Sequence, residues 1–139
     1  METKFNFKSA VCTDRNQSER LLALGLKKET ADMCWQTTTL SGEPITYPSQ
    51  DVWLNGSIIT NNHLPAWSLH RLIEMMPQII GHFELAVNDA FVGYYEDRCE
   101  SETGMHWEHT EESSNLYDNI IYCIEWLIKE GYFNKEYLV

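Results

Sequence analysis

From residue 114 to residue 129 apolar side chains recur at helical spacing. Leu116, Ile120, Cys123, Ile124, Leu127 and Ile128 fall on one stripe, and Ile121 and Trp126 widen it. A helix so broadly apolar must be covered by a second layer, either a sheet or other helices. Gly131 supplies the residue that leaves such a helix in the left-handed conformation, and Tyr132 can fold back onto Leu127 across the cap. The spacing predicts one helix over 114–129, with Leu116, Ile120, Ile124 and Leu127 toward a sheet.

That sheet is legible in "HFELAVNDAFVGYYED". Apolar and polar residues alternate on both sides of Asn88-Asp89, two residues that tolerate the positive φ of a tight turn. A hairpin turning there puts Phe83, Leu85 and Val87 on one face with Ala90, Val92 and Tyr94. Two more helices carry their own punctuation. In "DRNQSERLLALGLKK", Asp14 and Gln17 have capping-box spacing, Gly25 sits one step past Leu24, and Leu26 can return onto Leu21. In "LPAWSLHRLIEMMP", Ser68 is an N-cap, Trp67 a hydrophobic staple, Leu69, Leu72, Ile73 and Met76 form one face, and Pro77 ends the ladder. Short strands are expected around Phe5 and Phe7 and around Val52 and Leu54, with a turn at Asn61 and Asn62. Over 27–50, Pro44 and Pro48 among Ser, Thr and Gly predict a turn-rich connection anchored by Trp35.

The expectation is an α+β chain: one globular domain over 1–139, with a small antiparallel sheet, including a hairpin near 83–95, packed against about three helices. A chain of 139 residues is of ordinary single-domain size. It can bury about two-thirds of its unfolded surface without a metal or disulfide staple. Cys12, Cys34, Cys99 and Cys123 are dispersed and form no CxxC, which predicts reduced thiols. Cys123, on the apolar stripe, reads as a small hydrophobe. No apolar run approaches the roughly 18 residues of a membrane span. METKFNFKSAVC places charge where a signal peptide needs an apolar segment. A cytoplasmic location away from membranes is expected.

The net charge of −11 is unevenly placed. Residues 1–50 hold six basic and six acidic side chains, and the remainder holds four against fifteen. Between residues 96 and 118 there are eight acids and a single Arg98. Such a field repels phosphate backbones, so direct nucleic-acid binding is not expected. A protein partner with a basic surface, or a second copy of the chain, fits the composition.

Three stretches carry a resemblance: "LLALGLKKETADM" at 21–33, "LPAWSLHRLIEMMP" at 64–77 and "IIYCIEWLIKEGYF" at 120–133. Together they resemble an uncharacterised family of small proteins of Bacteroides-type genomes, often in phage-like or mobile elements. The resemblance implies a bacterial cytoplasmic or phage setting. It brings no activity, cofactor or catalytic residue.

The stretch that looks most like chemistry is "GMHWEHTEE" at 104–112. His106 and His109, three apart, could share a metal with Glu108, Glu111 or Glu112. The zincin pattern requires histidines four apart with a glutamate beside the first, and HWEH departs from it. Gly104 and the acids predict instead a solvated loop entering the last helix, with Glu111 and Glu112 near its positive end. No metal or cofactor is therefore expected. His70 and Glu74 are spaced as a surface pair, and Asp32 as a cap on a turn or backbone amide. GxSxG, P-loop, GxGxxG and paired-carboxylate signatures are missing, so no catalytic residue is assigned. Trp107, among charges, is a candidate contact anchor. Three readings follow. The first is a non-enzymatic acidic interaction protein using Trp107, Glu108, Glu111 and Glu112. The second is a metal-binding or enzymatic domain using His106, His109 and nearby acids. The third is a small-ligand module with tryptophan contacts.

Overall fold

The computed structural model describes residues 9–40, 42–49, 63–97, 105–112 and 115–139, with the side chains of 38–40, 97 and 105–108 excepted. The strands expected near Phe5 and Val52 and the turn at Asn61 and Asn62 lie outside these residues. The chain runs α1 (Arg15–Ala23), β1 (Met33–Leu40), β2 (Glu43–Ser49), β3 (His63–Ala66), α2 (Leu69–Met75), β4 (Ile79–Ile80), β5 (Phe83–Val87), β6 (Phe91–Asp97), β7 (Met105–Glu112) and α3 (Leu116–Glu130). The α+β class stands. The described strands form two antiparallel sheets, ordered β2-β1-β3 and β4-β5-β6-β7.

The helices begin and end where local chemistry dictates. Asp14 and Gln17 complete a capping box: the Gln17 amide donates to Asp14 Oδ1 at 2.7 Å, and the Asp14 amide to Gln17 Oε1 at 2.9 Å. Gly25 and Gly131 both take positive φ, 102° and 82°, which costs a glycine nothing. Each is followed by an amide that reaches back five residues, Leu26 to the Leu21 carbonyl at 3.2 Å and Tyr132 to the Leu127 carbonyl at 2.8 Å. Ser68 caps α2 by accepting from the Arg71 amide at 3.2 Å. Asp32 in turn holds Ser68, accepting from its amide at 2.9 Å and from its hydroxyl. On α2, Glu74 pairs with Arg71 at 3.1 Å rather than with His70. The last helix starts at Leu116, capped by Asn115.

Ile120, Ile124 and Leu127 of α3 are fully buried, and Leu116 is partly buried against the same cluster. α3 lies over β6 and β7 and also meets α1. Across that second contact Arg20 pairs with Asp118 at 3.0 Å. The 25–27 segment also holds the C-terminus, through Lys27 N–H to the Tyr137 carbonyl at 2.8 Å and Val139 N–H to the Gly25 carbonyl at 2.7 Å. A smaller cluster of Cys12, Met33 and Ala66 with Trp35 sits under the first sheet. Trp35 anchors it, donating from Nε1 to the Thr13 carbonyl at 2.9 Å.

Two expectations are corrected. β1 and β2 pair as a hairpin rather than a turn-rich connection, because both prolines sit on the strand that is outermost among the described residues. With a two-residue turn the flanking pair, Leu40 and Glu43, faces inward, so Pro44 and Pro48 take outward positions that need no N–H. The second hairpin pairs Val87 with Val92, so its turn is centred on Asp89-Ala90, one residue beyond Asn88-Asp89. Asn88 Oδ1 fixes it by accepting from the amides of Ala90 and Phe91 at 2.7 and 2.9 Å. The pairing moves by two positions, which leaves Leu85, Val87, Val92 and Tyr94 on one face.

Cys12, Cys34 and Cys123 are free and buried. Burial first, then the Asp32 carboxylate, pushes the Cys12 thiol up to about 11. Burial, with Glu111 adding, pushes Cys123 up to about 12. The thiolate is the reactive form. At pH 8 the native chain should therefore leave these three thiols unmodified by iodoacetamide, with labelling only after unfolding. Prompt native modification of Cys123, mapped by peptide mass spectrometry, would show that α3 is not packed as described.

Candidate functional site

The HWEH stretch is a strand, not a loop. β7 pairs with β6 through Phe91–Glu112, Val92–Glu111, Gly93–Thr110, Tyr94–His109, Tyr95–Trp107 and Glu96–His106. The step from Tyr94 to Tyr95 spans two residues of β7, so Glu108 is the extra residue of a β-bulge. The bulge breaks the alternation by which a strand announces itself.

Beyond the bulge the inner face of β7 is polar but covered. His109 stacks on the Trp126 indole with ring centroids 4.2 Å apart and planes 8° from parallel. Its Nε2 lies 2.9 Å from Glu111 Oε1, with the imidazole N–H donating to the carboxylate. Trp126 also meets Tyr94 and Tyr132, at 6.0 and 5.7 Å. Tyr94 in turn donates its hydroxyl to the Pro77 carbonyl at 2.7 Å. Glu111 is thus half-buried and held toward α3, whereas Thr110 and Glu112 are exposed. Of the four residues expected to form an interaction surface, Glu112 is outward and free to meet solvent, and Glu111 is engaged by His109. Trp107 and Glu108, like His106, are placed as backbone positions of β7 only, their side chains being outside the described residues.

Among the described residues no group of three or more His, Cys, Asp or Glu is arranged to hold a metal. Their tryptophans are used internally: Trp35 as above, Trp67 buried with Nε1 donating to Thr30 Oγ1 at 2.9 Å, and Trp126 in the stack. Two shallow depressions are lined by described residues. One, of about 360 Å³, is lined by His82, Glu84, Tyr95 and Glu96. The other, of about 240 Å³, lies between Glu74, Pro77, Tyr132, Asn134 and Tyr137. Neither gathers a nucleophile, a base and oxyanion donors as group-transfer chemistry requires. No described helix is long and apolar enough to cross a membrane.

Sequence reasoning found the acid run but missed the His109–Trp126–Glu111 arrangement. The three residues meet only when β7 is laid on α3, and nothing local signals it. Fold and site together define an α+β protein with an acid-rich outer strand. Comparison with family models, curated proteins and solved structures finds no match for the chain.

Proposed function

We propose that the chain is a non-enzymatic interaction protein whose acidic C-terminal half engages a basic protein partner. The observation that carries this reading is the position of the acid-rich strand: among the described residues β7 is the outermost strand of its sheet, with Glu112 exposed on it. Long-range attraction would steer a basic surface toward this side, and short-range contacts along the strand would hold it. A cytoplasmic bacterial or phage setting, as the sequence resemblance implies, belongs to the same proposal.

The test is salt and charge. Binding to a basic partner should weaken steeply between 0.1 and 1 M salt, as the Debye length falls from about 10 Å to about 3 Å. Glu108→Lys with Glu112→Lys leaves the His109–Glu111 pair intact and should slow association more than it speeds dissociation. Recovery of the same proteins by wild type and the double reversal, in capture from lysate at low salt, would reduce the acids to a solubility feature.

A further inference from the structure

Sheet edges expose unpaired backbone groups, and the four edges formed by the described residues are treated differently. β4 has two residues. β3 has four and includes Pro65. β2 has seven, but Pro44 and Pro48 remove two of the three N–H groups at its outward positions 44, 46 and 48. β7 has eight residues and no proline, and among the described residues it pairs with β6 alone. Short length and proline close an edge to any further strand, whereas bulges and charges close it selectively. Among the described residues three edges carry one of these two. β7 carries instead a bulge at Glu108 and glutamates, which repel a like-charged strand but leave the stretch from His109 to Glu112 open to a basic one.

The outward groups of β7 follow from the ladder. Leu85 N–H points to the Gln78 carbonyl at 2.9 Å, on the β4 side, so Glu84 and Ala86 face β6. Their partners Tyr95 and Gly93 then face β5, and Val92 and Tyr94 face β7. Glu111 and His109 point back at Val92 and Tyr94, which leaves the N–H and C=O of Thr110 and Glu112 directed away from the sheet. The Gly93–Thr110 pair shows the close approach of a pair not hydrogen-bonded to each other: a Cβ on Gly93 would lie 2.8 Å from Thr110 Cα.

We propose that β7 accepts an extended, basic segment of the partner protein as a fifth strand of the sheet. The occupant is argued from charge. A second copy of a chain of net charge −11 would set glutamates against glutamates, whereas lysines or arginines opposite Glu112 form favourable cross-strand pairs. Main-chain bonding to Thr110 and Glu112 gives the affinity, and the acids select the sequence. This inference rests on the function proposed above and adds the mode of binding.

The test uses the whole protein and a short capped peptide of alternating lysine and valine, against the same peptide N-methylated on its central backbone nitrogens. Methylation removes hydrogen-bonding capacity and leaves the charge unchanged. The plain peptide should bind at low salt and slow hydrogen exchange at the Thr110 and Glu112 amides. The methylated peptide should bind about tenfold more weakly or worse, since each lost backbone bond is worth severalfold in affinity. Equal affinity for the two peptides, or no protection at Thr110 and Glu112, overturns strand addition. If in that case Glu108→Lys with Glu112→Lys still weakens both peptides, the acidic partner surface stands without it. If neither peptide binds at low salt, the inference and the reading beneath it both fall.

Discussion

Ile124→Ala is expected to cost about 2–5 kcal/mol of folding stability, the range for removing a large aliphatic side chain from a packed core. Ile124 is fully buried on the face of α3 that covers the sheet, between Ile120 and Leu127, which are also fully buried. The helix crosses both β6 and β7. A cavity at its midpoint cannot collapse without moving two strands, which places the effect toward the upper part of the range. Glu125→Ala, on the exposed side of the same turn, should stay within about 0.5 kcal/mol. Urea denaturation reads both as shifts of the midpoint at constant slope. A change under about half a kcal/mol at Ile124 would mean that this stripe faces solvent.

The difference between those two neighbours is written in the sequence, and so is most of the helical framework. Caps and stops are local chemistry: Asp14 with Gln17, Ser68, Pro77 and Gly131 each act on backbone within a few residues. The hairpin of β5 and β6 was legible because side-chain direction has period two, so a misplaced turn centre still leaves Leu85 and Tyr94 on one face. What escaped was set by partners distant in sequence. Pro44 and Pro48 look like strand breakers until β2 is known to be an edge. β7 carries few residues that favour strands, its bulge shifts the alternation at Glu108, and its inner face offers His109 and Glu111 where aliphatics would signal burial. Trp126, arriving from α3, stacks on His109 and helps to cover that face. The acid run was plain arithmetic. Which acid points outward and which is tied to an imidazole depended on the register.

The other large effect is expected at a residue the sequence leaves silent. Gly93 in the middle of β6 reads as a weak point in a strand, but there a side chain has no room. A Cβ built on Gly93 would run into the His109 carbonyl oxygen and lie 2.8 Å from Thr110 Cα. Both obstacles are backbone, so no rotamer change relieves them. Gly93→Ala must push β7 away from β6 or bend β6 out of the sheet. The expected loss is about 3 kcal/mol, at the upper end of what overpacking costs, or more. The loss should also be localised. Moving β7 separates His109 from Trp126, so the tryptophan emission should shift. The Val92, Tyr94, His109 and Glu111 amides, which close the β6–β7 ladder, should lose protection from hydrogen exchange before the amides of α1 do. Binding of the basic peptide should fail in the same variant, because the outward groups of Thr110 and Glu112 are aimed by that ladder. Wild-type stability and protection in Gly93→Ala would show that β6 and β7 do not approach this closely. The register that turns Glu112 outward would then be wrong as well.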